Sequence, residues 1–209
     1  MFELFIFDLD GTILDTIEDI HDSLTSTLQF FNLQTFDIET TKSYVGDGFK
    51  ALVQRAIGDT VFKEEYETYF RKIYQKNQTN KTKPFENIFE VFEQLKYNDK
   101  KLIILSNKAF ENTDYLVKYY RLDKYFDKWY GADSFPEKKP SPIPINTILN
   151  NNKLIPSKAI IIGDNYTDIE AGKNANIKTC FCEYGYGKLR NVKPDFSVKK
   201  VNDLLNICK

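Results

Sequence analysis

Apolar residues fall in short runs, separated by stretches where they recur at helical spacing. Residues 2–9 (FELFIFDL) form a near-continuous apolar run of strand length that ends in an Asp-Gly turn signal. Residues 101–106 (KLIILS) and 159–163 (AIIIG) are runs of the same kind, residues 178–183 (KTCFCE) a fourth, and residues 129–133 a less apolar fifth. A strand that is apolar throughout needs cover on both faces, which is the environment of a parallel sheet. Between these runs, residues 87–97 place Ile88, Val91, Phe92 and Leu95 at helical spacing, and residues 113–122 do so with Leu116, Tyr119 and Tyr120. Residues 142–150 and 168–176 read as shorter helices, with a short turn at 150–152. Alternating strands and helices predict an α/β fold: a Rossmann-like, mainly parallel sheet with helices on both faces.

The alternation breaks between residues 9 and 101, where strand signal is scarce. Residues 13–31, 49–57 and 62–74 read as helices, and residues 79–84 (TNKTKP) as a polar return linker. An α-helical insertion of roughly sixty to seventy residues accounts for a gap too long for an ordinary loop. The expected division is an α/β core of residues 1–14 and 81–209 carrying an inserted helical domain at 15–80. The insertion leaves just after the first strand, at the carboxyl edge where open α/β sheets bind ligands, so it is placed to act as a lid.

Residues with reactive side chains sit where the predicted strands end. Asp8 and Asp10 flank Leu9 at the exit of the first strand, and Gly11 and Thr12 follow. Charge at the end of an apolar run costs desolvation energy unless it is paired or binds a cation. Gly11 permits a tight turn, and Thr12 brings a hydroxyl and an amide where an anion can sit. On its own the pair reads equally as a strand-end turn with a helix cap. The segment Gly163-Asp164-Asn165-Tyr166-Thr167-Asp168 also ends a buried run and opens a helix. The helix dipole explains either of its outer acids alone better than both together. Acidic ends of two strands in one parallel sheet share an edge, and carboxylates meeting there repel unless a hard divalent cation sits among them. Oxygen ligands with a phosphate substrate point to Mg2+. Ser106 and Asn107 end another strand, where a hydroxyl and an amide can donate to phosphate oxygens; alone they read as a helix cap. Lys139 lies in the proline-stiffened run Lys138-Lys139-Pro140-Ser141-Pro142. It can neutralise a nucleophilic carboxylate and an incoming phosphate, although in isolation it reads as a solvated loop lysine.

Composition acts mainly by exclusion. A net charge of −1 gives no basic surface for counterion-release binding to nucleic acid. No apolar run reaches the ~18 residues that span a bilayer, and the first residues lack a basic leader, so a cytoplasmic protein is expected. Three cysteines, Cys180, Cys182 and Cys208, supply no disulfide framework, and Cys180 and Cys182 read as small buried residues. One histidine, His21, leaves a four-ligand zinc site poorly supplied. His21 and Asp15 read as surface or hinge residues.

Taken in order, the acidic pair, Ser106, Lys139-Pro140 and Gly163-Asp164…Asp168 resemble the motifs of the haloacid dehalogenase superfamily across essentially the whole chain. The resemblance is strongest to its phosphoglycolate phosphatase group: the insertion resembles that group's helical cap, Tyr44-Val45-Gly46-Asp47-Gly48 its cap loop, and Tyr184-Gly185-Tyr186-Gly187 its late Gly-Tyr-Gly. The resemblance implies a Mg2+-dependent phosphatase in which Asp8 is the nucleophile and Asp10 the general acid and base. It implies Mg2+ on Asp8, the Asp10 carbonyl and Asp164, supported by Asp168, and phosphate on Ser106, Lys139 and the region of Gly11, Thr12 and Asn107. Asp10 itself argues against carbon–halogen chemistry, because dehalogenases of the superfamily lack that carboxylate. No key carboxylate is missing, which argues against a non-catalytic regulator. The expected substrate is a small phosphate monoester, best guessed as 2-phosphoglycolate, with a sugar phosphomutase, a pyrophosphatase or a 5′-nucleotidase as alternatives. Beside Gly46 and Gly48 of the cap loop, Lys50 or Arg55 is the candidate for reading a substrate carboxylate; Arg55 reads more readily as a helix-surface or interdomain salt-bridge residue. The expected partner is the substrate alone, with neither nucleic acid nor membrane, and the chain acting as monomer or homodimer.

Overall fold

The computed structural model describes residues 1–207. The chain begins with β1 (Leu4–Phe7), turns into a two-residue β2 (Leu14–Asp15), and enters four helices: α1 (Ile17–Phe30), α2 (Ile38–Tyr44), α3 (Phe49–Ile57) and α4 (Glu64–Asn77). It returns through β3 (Lys83–Pro84) to α5 (Ile88–Tyr97), β4 (Lys101–Leu105), α6 (Phe110–Tyr119) and β5 (Lys128–Tyr130). Then follow α7 (Ile143–Asn152), β6 (Ala159–Gly163), α8 (Tyr166–Asn174), β7 (Lys178–Cys182), β8 (Phe196–Val198) and α9 (Leu204–Ile207).

Six strands form one parallel sheet in the order β5-β4-β1-β6-β7-β8. The apolar runs are continuous because both faces are covered. Phe5 and Phe7 of β1 join Leu102 and Ile104 of β4 and Ile160 and Ile162 of β6 in one core, beneath α5 and α6. Leu4, Ile6, Ile103, Ile161 and the α7 residues Ile145, Ile148 and Leu149 make the other. This is the period of two expected of a strand between two helix layers. Phe92 packs edge-on to Phe7 and Phe126, which anchors α5 to the sheet. Register places Phe7 beside both Ile104 and Ile162, so the residues after β1, β4 and β6 emerge together at one edge.

The helices α1–α4 bury a core of their own. Ile20, Leu24 and Leu28 of α1 and Tyr66, Phe70 and Tyr74 of α4 recur every four residues and meet Leu52, Val53 and Ala56 of α3. Both connections to the sheet are paired. β2 and β3 run antiparallel, and the buried Asp19 carboxylate accepts from Lys81 N, Thr82 N and the Thr82 hydroxyl. His21 shares a 2.8 Å hydrogen bond with Thr41 and so joins α1 to α2.

Several boundaries differ from the sequence expectation. The first inserted helix starts at Ile17 rather than residue 13, because Leu14 and Asp15 pair with the return linker, which is therefore part strand. α2 was not foreseen: Thr41 is its one buried residue, so it shows no apolar stripe, and Asp37 caps it by accepting from Thr40 N. α6 and α8 begin earlier than expected. In α8 the Asn165 carboxamide and the Asp168 carboxylate form a reciprocal cap. Residues 150–152 are not a turn but the end of α7, which stops where Lys153 takes a left-handed conformation. β8 and α9, three and four residues long, are too short to show a period. Cys180 and Cys182 are both buried on one face of β7, and Cys208 lies outside the described residues. No helix among the described residues is long and apolar enough to cross a membrane.

Candidate active site

The site forms at the carboxyl edge of the sheet, where β1, β4 and β6 end side by side. Asp8 extends β1 by one residue, its N–H donating to Ile162 O at 2.9 Å, while its carboxylate accepts from Leu9 N at 2.7 Å. The chain then turns at Gly11, whose φ of 80° is left-handed. A Cβ there would also collide with the Asp164 carboxylate, so both the turn and the approach of β6's acid require glycine.

Asp8, Asp164 and Asp168 bring one carboxylate oxygen each within 4.8 Å of one another, and all three are buried. Burial pushes the Asp8 carboxyl up to about 7; Lys139 opposes that rise, and the charges of Asp168 and Asp10 add to it. Burial, reinforced by Asp8 and Asp168, carries Asp164 well above the carboxylate range, against donation from Gly187 N and Tyr186 N. Lys139 is 1% exposed and spends its three protons on Asp8 (3.0 Å), Asp168 (2.6 Å) and Leu105 O (2.6 Å). Burial draws its ammonium down, but the two carboxylates outweigh that and hold it raised. The oxygen-only donor set and mutually repelling acids suit a hard cation.

Asp10 lines the same pocket. Its carboxylate accepts from Thr16 at 2.6 Å and pairs with Lys108 at 3.1 Å, apart from the three-acid cluster. Lys108 was not anticipated. It is 3% exposed, donates to the Tyr74 hydroxyl at 2.7 Å, and lies 4.9 and 4.4 Å from the ring centres of Phe49 and Tyr74. Burial pulls its ammonium down, with Asp10 working against that. Its place directly after Ser106-Asn107 was the only signal the sequence carried. Tyr186 and Asn165 also line the pocket unanticipated, although both lie within segments that were singled out.

Ser106 stands at the pocket wall, its hydroxyl accepting from Lys108 N at 3.1 Å. Three expected contacts need correction. Both amide protons of Asn107 are committed, to Gly46 O (3.0 Å) and Lys139 O (2.9 Å), so its side chain ties loops together and only its buried, unpartnered Oδ1 remains. Thr12 is fully buried behind Asp164, to which its hydroxyl donates at 3.4 Å, because the turn folds its backbone against Leu9. Lys50 is exposed and lies over the Phe62 ring, outside the pocket.

The loop between α2 and α3 closes the site. Gly46 and Gly48 line the pocket with Val45, Phe49, Leu52 and Ile20, leaving a cavity of about 30 Å3 over Asp8 and Asp10. Gly46, at φ 121°, abuts Asn165 so closely that a Cβ would collide with its carboxamide. Arg55 does not face the cavity: it donates to Tyr44 O and pairs with Asp47. Asp47 also accepts from Tyr166 at 2.5 Å and has Arg190 at 3.6 Å, while its carbonyl accepts from Lys138 at 2.7 Å. Its carboxyl is held low: burial works against this, but Tyr166, Arg55 and Arg190 prevail.

Comparison with known proteins agrees with this geometry. The family model for haloacid dehalogenase-like hydrolases matches residues 5–182. A phosphoglycolate phosphatase of Aquifex aeolicus is 40% identical over 202 residues, covering 97% of this chain and 94% of the relative. Pyrophosphatase PpaX of Bacillus cereus is 30% identical over 205 residues, again 97% and 94%. The crystal structure of a predicted phosphoglycolate phosphatase from Haemophilus somnus 129PT superposes with a TM-score of 0.91 at 27% identity, covering 100% of this chain and 98% of that one. The chain belongs to the haloacid dehalogenase-like hydrolase family, and is a phosphatase of that family.

Proposed function

We propose that the enzyme is a Mg2+-dependent phosphatase of small phosphate monoesters, 2-phosphoglycolate first among them, working through an aspartyl-phosphate on Asp8. The observation that carries this reading is the placement of two carboxylates in one pocket, each with its own buried lysine: Asp8 with Lys139 and Asp10 with Lys108. Asp8 attacks phosphorus, and its oxygen gains the P–O bond as the ester P–O bond breaks. Asp10 gives a proton to the leaving alkoxide, then takes one from the water that cleaves the phosphoryl group from Asp8. Lys139 orients Asp8 and offsets the negative charge that gathers as phosphate approaches. Ser106 and backbone amides near Gly11 and Asn107 position the phosphoryl oxygens, and positioning carries most of the rate in a loose transition state. Asp8, the Asp10 carbonyl and Asp164 are the groups to hold Mg2+, with Asp168 acting through Lys139; when bound, the ion supplies charge neutralisation for the phosphoryl oxygens.

Residues 15–80 act in this reading as a cap on a core of residues 1–14 and 81–209, and the loop at Gly46 and Gly48 sets how much room a substrate has. A cytoplasmic setting fits the sparse cysteine content. The similarity to the phosphoglycolate phosphatase supports the preferred substrate, and that to the pyrophosphatase supports pyrophosphate as a second. Phosphate release from 2-phosphoglycolate, pyrophosphate, a nucleoside monophosphate and a hexose phosphate tests the proposal. Release from 2-phosphoglycolate is expected to require Mg2+ and to stop with EDTA, and Asp8→Asn is expected to abolish it. Full turnover by Asp8→Asn would remove the nucleophile. Interconversion of hexose phosphates in excess of phosphate release would make the enzyme a mutase.

A further inference from the structure

Among the described residues that line the pocket, Lys108 is the one cation, and the chemistry on phosphorus uses it only as the partner of Asp10. Lys139 already serves Asp8. Lys108 stands instead beside Asp10, at 3.1 Å, and so on the side where the leaving oxygen must lie to receive its proton. Two of its three protons have partners, Asp10 and the Tyr74 hydroxyl. Its other neighbours are the faces of Phe49 and Tyr74, which hold a cation in place without consuming a donor. Keeping an ammonium this far from water is costly unless its charge is matched.

Ile20, Val45, Phe49 and Leu52, which also line the pocket, offer no hydrogen bonds, and the Tyr186 hydroxyl beside Asp10 is already bonded to Thr16. A polyol leaving group would bury unsatisfied hydroxyls there. Lys50 and Arg55, the residues the sequence nominated for this task, lie over Phe62 and against Asp47.

We propose that Lys108 reads a second anionic group on the leaving side of the substrate, a carboxylate or a phosphate within a bond or two of the leaving oxygen. The proposal rests on the phosphatase reading above and deepens it. Compact, doubly anionic phosphates are then the preferred substrates, and Lys108 rather than a residue of the insertion sets that preference.

The test is kcat/KM for 2-phosphoglycolate, pyrophosphate and ethyl phosphate with Mg2+, in the wild type, Lys108→Met and Lys108→Arg. Ethyl phosphate keeps the ester and lacks the second anion. The wild type is expected to favour an anionic substrate by about 100-fold or more, as a site built for a polar group discriminates against its absence. Which of 2-phosphoglycolate and pyrophosphate it favours tells carboxylate from phosphate. Lys108→Met is expected to narrow the preference at least about tenfold, and Lys108→Arg to keep most of it. A wild type indifferent to the second anion would overturn the proposal whether or not the variants fold, and would leave the phosphatase reading standing. Equal losses on all three substrates in Lys108→Met would also overturn it, by making Lys108 a positioning residue for Asp10. Phosphate release from none of them by the wild type would overturn both.

Discussion

The two sides of the pocket are built in different ways. On the phosphoryl side, Asp8, Asp164, Asp168 and Lys139 come from the sheet edge and the loop beside it, and their contacts stay within the α/β core. On the Asp10 side, Lys108 comes from the core, but the residues that box it, Phe49 and Tyr74, come from α3 and α4. The loop at Asp47 completes that side, with Tyr166, Lys138, Asn107 and Asn165 reaching across to it. Backbone strands preorganise the first half. The second exists only when insertion and sheet meet. The surroundings of Asp8 are thus built within the core, and those of Lys108 at the seam between insertion and core.

Lys139→Met would break the phosphoryl side most severely. It would leave Asp8 and Asp168 buried without their cation, and losing one partner of such a pair costs about 3–5 kcal/mol. Turnover should fall at least about 1,000-fold. Chemical denaturation and phosphate release measure the two effects, and a variant with unchanged stability would contradict the internal pairing described here.

Asp47→Asn addresses the seam and should have a smaller effect. It removes the charge that Arg55 and Arg190 share, so KM should rise several-fold with kcat nearly kept. The sign of its pH dependence follows from the carboxyl's lowered value. Its stabilising contribution is fully present above the unfolded value of 3.8 and is lost as pH falls through the folded one. The gap in Tm between wild type and Asp47→Asn should therefore close as pH drops from about 5 to about 3. A gap that widened on acidification would show that Asp47 does not hold the seam as an anion.

Lys50→Ala should do least. Its ammonium is exposed over Phe62, so kcat/KM should change by less than about twofold. A large loss would return the substrate-reading role to α3 and weaken the case for Lys108.

Much of the phosphoryl side was legible before any coordinates. Asp8, Ser106 and Asp164 follow buried apolar runs, and a residue's position at a strand end is a local property. Lys139 could be found because prolines fix its loop. Thr12 and Asn107 were identified as site residues, but their side-chain donors are spent on other partners. Whether a hydroxyl or an amide faces a substrate depends on competing partners, here Asp164, Gly46 O and Lys139 O. Lys108 escaped because its environment is made by Phe49 and Tyr74, distant in sequence.

The sequence by itself determined the parallel sheet, the helical insertion after the first strand and the acids at the sheet edge. Each follows from the short-range period of apolar residues and from where that period stops. Only the tertiary structure decided which lysine pairs with Asp10, which amide protons are already spent, and that Asp47 holds the insertion to the core. Those outcomes depend on side chains from separate segments competing for the same few partners, and no local pattern records who wins.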